Sequence, residues 1–317
     1  MRYNRCGRSG LLLPAFSLGM WYNFGERHEA HTKRAICRRA FDLGITHFDL
    51  ANNYGPPSGS AEEAFGVILK QDFAGHRDEL LASTKAGYPM WSGPYGSGGG
   101  RKHLVASLDQ SLKRLGLDYV DIFYHHCPDP ETPLEESMGA LDYIVRSGRA
   151  LYAGISSYPA ELTEKAAAIG KSLGTPLIIH QPRFNMLQRD PLSQGVFAAA
   201  AKSGMGVIVF SPLAQGMLTG RYLDGIPNDS RYIHGKRFNR DALTPEFIDK
   251  IKALNAIAAN RGQSLAQMAL AWVLTHGEIA SCLIGASKPE QVEDSVKAAD
   301  NTSFSTDELA EIDRLTA

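Results

Sequence analysis

Four side chains with complementary chemistry follow three successive apolar runs of the chain. Asp49 and Tyr54 come after Ile45 to Phe48, Lys85 after Leu80 to Thr84, and His126 after Val120 to Tyr124. A carboxylate, a phenol, an amine and an imidazole brought to one place can deliver a proton to a carbonyl oxygen. A phenol, with an ordinary pKa near ~10, is a weak acid at neutral pH, and a neighbouring ammonium lowers that value by stabilising the phenolate. Lys85 can supply that charge to Tyr54, and Asp49 can hold Lys85 charged and in place. His126, able to be neutral or charged near neutral pH, can donate a hydrogen bond to the oxygen on which negative charge develops during hydride addition.

These residues meet only if the runs that carry them lie side by side. Eight short apolar runs alternate with longer helical patterns: Phe16 to Leu18, Ile45 to Phe48, Leu80 to Thr84, Val120 to Tyr124, Leu151 to Ile155, Leu177 to His180, Val207 to Phe210 and Cys282 to Ile284. Between them, apolar residues recur at helical spacing, as in Leu104, Leu108, Leu112 and Leu115. Ser60 with Glu63 and Ser305 with Glu308 have the spacing of capping boxes. A hairpin over Met1 to Leu13, turning at Arg8-Ser9-Gly10, precedes the first run. The pattern predicts an α/β fold, a (β/α)8 TIM barrel with an N-terminal β-hairpin, with 1–317 as one domain. An open doubly wound sheet is the alternative, because periodicity alone does not show closure. On a barrel, residues just past the C-terminal ends of the strands converge at one face, which is what the four side chains need.

Composition and failed motifs narrow the function. Lys+Arg 33 against Asp+Glu 34 leaves a formal net charge of -1, so no global field favours nucleic acid or an acidic membrane. The four cysteines, Cys6, Cys37, Cys127 and Cys282, have no C-x-x-C pair, which suits free thiols in a reducing compartment. With neither a signal-peptide pattern nor a long apolar run, a cytoplasmic location is expected. The run Gly96-Ser-Gly-Gly-Gly-Arg101 misses the last glycine of a dinucleotide fingerprint and reads as a flexible surface loop. Gly170-Lys-Ser172 lacks the first glycine of a phosphate-binding loop, since Lys165 stands there. His125 and His126 are adjacent on a strand, face opposite ways, and predict no metal site. The long connection from Gln215 to Pro245 is expected to be a functional lid or disordered. Cys127, beside His126 at the expected barrel mouth, reads as an inert thiol because nothing in the sequence marks it as acidic, with oxidation that impairs activity as the alternative.

The chain resembles the aldo-keto reductases over essentially its whole length. The matching stretches are Gly44-Ile-Thr-His-Phe-Asp49 with Tyr54, Ser83-Thr-Lys85, Leu117-Asp-Tyr-Val-Asp-Ile122 leading to His126-Cys-Pro128, Gly154-Ile-Ser-Ser157, Gln181-Pro-Arg-Phe-Asn185, Phe210-Ser-Pro-Leu213, and Gly285-Ala-Ser287 with Gln291. The resemblance implies that Tyr54 is the general acid, assisted by Lys85, Asp49 and His126, and that NADPH lies extended across the barrel mouth. It places Gly19, Met20, Trp21 and Asp49 beside the cofactor, Ser156, Ser157 and Gln181 at its carboxamide, and Phe210 stacked on the nicotinamide. Ser211, Pro212, Leu213, Gln215, Gly216 and Leu218 would line the pyrophosphate, with Arg221 and Arg231 on the phosphates. Gly285, Ser287, Lys288, Gln291 and Asp294 fall at adenosine positions. Many members have asparagine at Ser157, tyrosine or tryptophan at Phe210, and a lysine and an arginine at Gly285 and Gln291. Recognition of a 2′-phosphate is thus expected from Ser287, Lys288 and Arg231 together. The implied partner is a small carbonyl compound such as L-glyceraldehyde 3-phosphate or methylglyoxal, meeting Trp21, Tyr22, Tyr54, Trp91 and His126. An end at Ala317, soon after the last helix, is expected to leave the pocket without a long C-terminal wall. Family members that serve as potassium-channel β subunits keep an alternative open, a redox-sensing NADPH-binding module that regulates a protein partner, and leave a homo-oligomer open as well.

Overall fold

The computed structural model describes residues 1–223 and 244–316. A two-stranded antiparallel hairpin, β1 (Tyr3–Arg5) and β2 (Leu12–Pro14), precedes eight strands: β3 (Phe16–Gly19), β4 (His47–Asp49), β5 (Leu81–Ala86), β6 (Val120–His125), β7 (Ala150–Ser156), β8 (Leu177–Gln181), β9 (Gly206–Val209) and β10 (Ile279–Ile284). All eight pair in parallel and in chain order, and β10 returns to β3 to close the barrel. Parallel strands covered on both faces must be apolar along most of their length, which is why each appears in the sequence as a short continuous run. The open-sheet alternative is thereby excluded.

Helices α1 (Ala30–Asp42), α2 (Ser60–Asp72), α3 (Arg101–Leu115), α4 (Leu134–Arg146), α5 (Ala160–Leu173), α6 (Asp190–Ser193), α7 (Val196–Lys202), α8 (Pro245–Asn260), α9 (Leu265–Val273), α10 (Pro289–Val296) and α11 (Thr306–Thr316) supply the outer layer. The Ser305–Glu308 box forms at the start of α11, with Glu308 N–H donating to Ser305 Oγ at 3.1 Å and Ser305 N–H to Glu308 Oε2 at 2.7 Å. The box expected at Ser60 does not form. Gly59, at φ 93, is the N-cap of α2, and Ser60 Oγ turns back to donate to Pro57 O at 2.6 Å. A box that the sequence reading passed over, Ser264 with Gln267, caps α9.

Because side chains alternate along a strand, each strand sends one set inward and one outward. Phe48 points out of β4 onto Phe65 and Phe73, ring centroids 4.9 and 5.8 Å away. Its full burial is worth roughly 1.5–3 kcal/mol. Inside the barrel, Ile122, Tyr124, Ile179, Ile208 and Leu283 pack together with Cys6, Leu11 and Leu13 of the hairpin, which stoppers one end. Gly7 makes that close approach possible: at φ +56, a Cβ there would lie 2.3 Å from Gly204 O. Gly154 has a similar role nearer the site. A Cβ on it would meet the Tyr124 ring at 2.8 Å, so the absence of a side chain lets that ring lie across the barrel beside Lys85.

Candidate active site

Asp49 is the last residue of β4 rather than a loop residue, Lys85 sits inside β5, and His126 is one residue past β6. Registers Asp49↔Ser83 and Lys85↔Tyr124 place these strands so that their inward side chains meet. Lys85 Nζ donates to Asp49 Oδ2 at 2.5 Å and to Leu50 O at 2.7 Å, with both charged side chains buried. Asp49 Oδ1 accepts from Ser83 Oγ at 2.7 Å and from Gln181 Nε2 at 3.1 Å. The Tyr54 ring lies 5.1 Å from Lys85 Nζ and 5.9 Å from the His126 ring, edge-on to the latter. Tyr88 closes the other side of His126 at 4.6 Å. The four side chains picked from three separate stretches therefore form one cluster.

Burial governs their protonation. It pushes the Tyr54 phenol well above its ordinary value, with Asp49 and Tyr88 pushing the same way. The net shift of the buried phenol is upward, opposite to the lowering that a neighbouring ammonium alone would give. Burial also lowers Lys85, against the pull of Asp49 and Glu62. His126 is held well below the usual histidine value by burial, then by Lys85 and His125, so it is neutral rather than poised near neutral pH. A protonated phenol and a neutral imidazole are the states that donate to a carbonyl oxygen.

The residues expected at a cofactor occupy the rest of the same rim. Gly19 ends β3, and Met20 N–H donates to Asp49 O at 3.0 Å, with half-buried Trp21 next in the chain. Ser156 ends β7 and donates to Gln181 O at 2.8 Å. Gln181 ends β8, and Phe210 follows β9. The turn Ser211, Pro212, Leu213, Gln215, Gly216, Leu218 is closed by Gly216 N–H to Leu213 O at 2.8 Å and pinned by Asn185 Nδ2 to Ser211 O at 3.0 Å. Arg221 is exposed just beyond it, and Arg231 lies outside the described residues. Gly285 follows β10, with exposed Ser287, Lys288 and Gln291 around the start of α10. Gln291 Oε1 accepts from Ser287 N–H at 2.7 Å, and Asp294 Oδ1 from Gln267 Nε2 at 2.6 Å. The strands concerned, β7, β8, β9, β10 and β3, are consecutive in the barrel, and the catalytic candidates fill the remaining arc of β4, β5 and β6.

A second feature marks the first arc. Among the described residues, the non-glycine residues at positive φ are Ser157 (61), Ser211 (56), Ala214 (47) and Gln215 (59), all within these stretches. Such conformations cost roughly 1–3 kcal/mol each and gather where a ligand or reaction requires them. The residues present thus fit a long, anion-bearing cofactor.

On the substrate side, Trp21 packs edge-on to Tyr22 at 6.1 Å, and Trp91 leans on His103 at 5.0 Å. The glycine-rich segment is a surface loop without regular secondary structure, as its composition predicts, and hydrogen bonds anchor its last turn. Gly98 N–H donates to Gly87 O at 2.8 Å, Gly99 N–H to Asp129 Oδ2 at 2.7 Å, and Ser137 Oγ to Gly99 O at 2.8 Å. Cys127 has its thiol pushed up to about 11 by burial and Asp129, so it is a protonated and poorly nucleophilic thiol. His125 faces away from the site, its Nδ1 2.5 Å from Tyr158 OH.

Residues that the sequence reading gave no role are Ser17, His47, Ser83, Tyr124, Gly154 and Ser281. The first three have a common signal: Ser17, His47 and Ser83 stand two residues before Gly19, Asp49 and Lys85, on the same strand face one layer deeper.

The Aldo/keto reductase family profile matches residues 15–317, and the chain belongs to that family of oxidoreductases. It is 56% identical over 319 residues to an L-glyceraldehyde 3-phosphate reductase of Escherichia coli (strain K12), covering 99% of this chain and 92% of that protein. A probable voltage-gated potassium channel subunit beta of Oryza sativa subsp. japonica is 35% identical over 317 residues, covering 98% and 95% of the two chains. A putative subunit of the same kind from Schizosaccharomyces pombe is 37% identical over 305 residues, covering 93% and 87%. No helix among the described residues is long and apolar enough to cross a membrane.

Proposed function

We propose that this chain uses NADPH to reduce short, polar aldehydes and ketones to alcohols, with L-glyceraldehyde 3-phosphate and methylglyoxal as the first substrates to test. The observation that carries the reading is the cluster in which Lys85 binds Asp49 at 2.5 Å and lies 5.1 Å from the Tyr54 ring, with the His126 ring 5.9 Å from that of Tyr54. Membership of an oxidoreductase family and the likeness to an L-glyceraldehyde 3-phosphate reductase support it.

The residues along the arc from β7 to β3 would hold NADPH, whose nicotinamide would supply the hydride to the carbonyl carbon. The π electrons move to the carbonyl oxygen, which takes the phenolic proton of Tyr54. His126 donates a hydrogen bond to the same oxygen, so the developing charge is shared before the proton arrives. Lys85 has one ammonium N–H beyond those bound to Asp49 and Leu50 and lies 5.1 Å from the Tyr54 ring, near enough for its charge to favour the phenolate that forms as the proton leaves. Asp49 keeps Lys85 at that post, and solvent returns the proton to Tyr54 after the alcohol leaves.

Following NADPH consumption by the purified protein over a panel of short aldehydes, with and without a phosphate group, tests the proposal. Sustained turnover, highest on small polar carbonyls, is expected. A higher kcat/KM on large hydrophobic carbonyls would remove the substrate assignment. The likeness to channel subunits supports a second reading, a module that holds NADPH and reports on a partner. A single turnover with no sustained rate on any small aldehyde would favour it.

A further inference from the structure

We propose that His47, one layer beneath Asp49 in the barrel, is a positioning residue of this site: through Ser83 it directs a one-way chain of hydrogen-bond donors onto the Asp49 carboxylate and so aims Lys85. The inference rests on the reductase reading above. Ser281 Oγ and Ser17 Oγ lie 2.6 Å apart, Ser17 Oγ is 2.9 Å from His47 Nδ1, His47 Nε2 is 2.9 Å from Ser83 Oγ, and Ser83 Oγ is 2.7 Å from Asp49 Oδ1. The chain crosses β10, β3, β4 and β5, and Ser17, His47, Ser83 and Ser281 are fully buried.

Counting protons fixes its direction. Asp49, ionised against Lys85, only accepts, so the single Ser83 hydroxyl proton goes to Oδ1. Ser83 must then accept from His47, which requires a proton on Nε2. Burial lowers the His47 ring to about 4, so it is neutral and carries no second proton. Nδ1 therefore accepts from Ser17, and Ser17 accepts from Ser281. Every link points toward Asp49.

Elsewhere the barrel interior is filled mainly by carbon, from Ile122, Ile179, Ile208, Leu283 and the ring of Tyr124. Four buried polar side chains beneath one wall are costly unless each is hydrogen-bonded, so packing alone does not account for them. Their output is orientation. Ser83 and Gln181 together hold Oδ1, which leaves Oδ2 facing Lys85 Nζ. Without the chain the carboxylate can rotate, and Lys85 then loses the aim on which Tyr54 depends.

The test compares His47→Leu, which removes both ring nitrogens, with His47→Gln, whose amide can still donate and accept. His47→Leu should slow single-turnover hydride transfer by about 10- to 100-fold, the loss that small misplacement causes, with NADPH affinity unchanged. His47→Gln should recover most of the rate, and Ser83→Ala should fall as far as His47→Leu. If His47→Leu does not fold, Ser83→Ala and His47→Gln decide. Ring nitrogen NMR of histidine-labelled protein should show His47 neutral, with Nε2 protonated and Nδ1 bare, from about pH 5.5 to about pH 8. A wild-type rate in folded His47→Leu or Ser83→Ala, or a proton on Nδ1, overturns the inference. A wild type with no turnover would defeat the reductase reading instead, while the NMR result would still decide the direction of the chain.

Discussion

Replacing Lys85 by methionine removes the cation from a pair in which the lysine side chain is 0% and the aspartate side chain 2% exposed. The Asp49 carboxylate would keep its bonds from Ser83 and Gln181 but would stay charged in a dry interior. Breaking one side of a buried pair costs about 3–5 kcal/mol. With unfolding entropy near about 2.1 cal/mol/K per residue over 317 residues, that loss corresponds to a melting temperature roughly 5–8 °C lower. Lys85→Met combined with Asp49→Asn should regain most of it, because the introduced amide keeps an acceptor for Ser83 and Gln181 and leaves no orphaned charge. Thermal unfolding followed by circular dichroism at neutral pH measures both changes. A single variant within about 2 °C of wild type, or a double variant as unstable as the single one, would mean that water reaches Asp49 and that the pair is not the buried unit described here.

Acid should weaken the fold through its buried histidines. Burial lowers His47 and His125 to about 4 and His180 to about 3. Their folded values lie below the unfolded value near ~6.5, so they take up protons more readily when unfolded. Stability is unaffected above that value and falls as pH drops toward the folded values, by roughly 2 kcal/mol per histidine at pH 5. Denaturant midpoints from pH 8 to about pH 5 check this, and a flat profile would contradict it. At the cofactor end, exposed Lys288→Ala should weaken NADPH several-fold more than NADH, through loss of a charge-assisted bond to the 2′-phosphate. Equal losses for both cofactors would take Lys288 away from that phosphate.

The fold was legible because its signals are local. Each parallel strand is buried on both faces, so it appears as an apolar run, and helical spacing between the runs marks the cover. Tyr54, Lys85, Asp49 and His126 were legible because strand ends of a barrel meet at one face. Less legible was whatever depends on depth. Spacing suggested a capping box at Ser60, but Gly59 in a left-handed conformation took the cap and freed the hydroxyl for Pro57. Sequence shows that Lys85 is near Tyr54 but not that both residues are dry, and it is burial that sets the upward direction of the Tyr54 shift. Glycine content marked a surface loop at 87–100, but not that Asp129 and Ser137, distant in sequence, anchor it at Gly99. His47 stood in plain view two residues before Asp49, yet its place in a proton-ordered chain exists only once β10, β3, β4 and β5 are side by side.

Tyr54→Phe measured in a single turnover tests the central claim most directly. The change keeps the ring that packs against Lys85 and His126 and removes only the donor oxygen. With NADPH prebound and a short aldehyde mixed in by stopped flow, the hydride-transfer rate should fall by at least ~10²-fold, while quenching of protein fluorescence shows NADPH affinity unchanged. A variant that transfers hydride at close to the wild-type rate would contradict the assignment of Tyr54 as the proton donor.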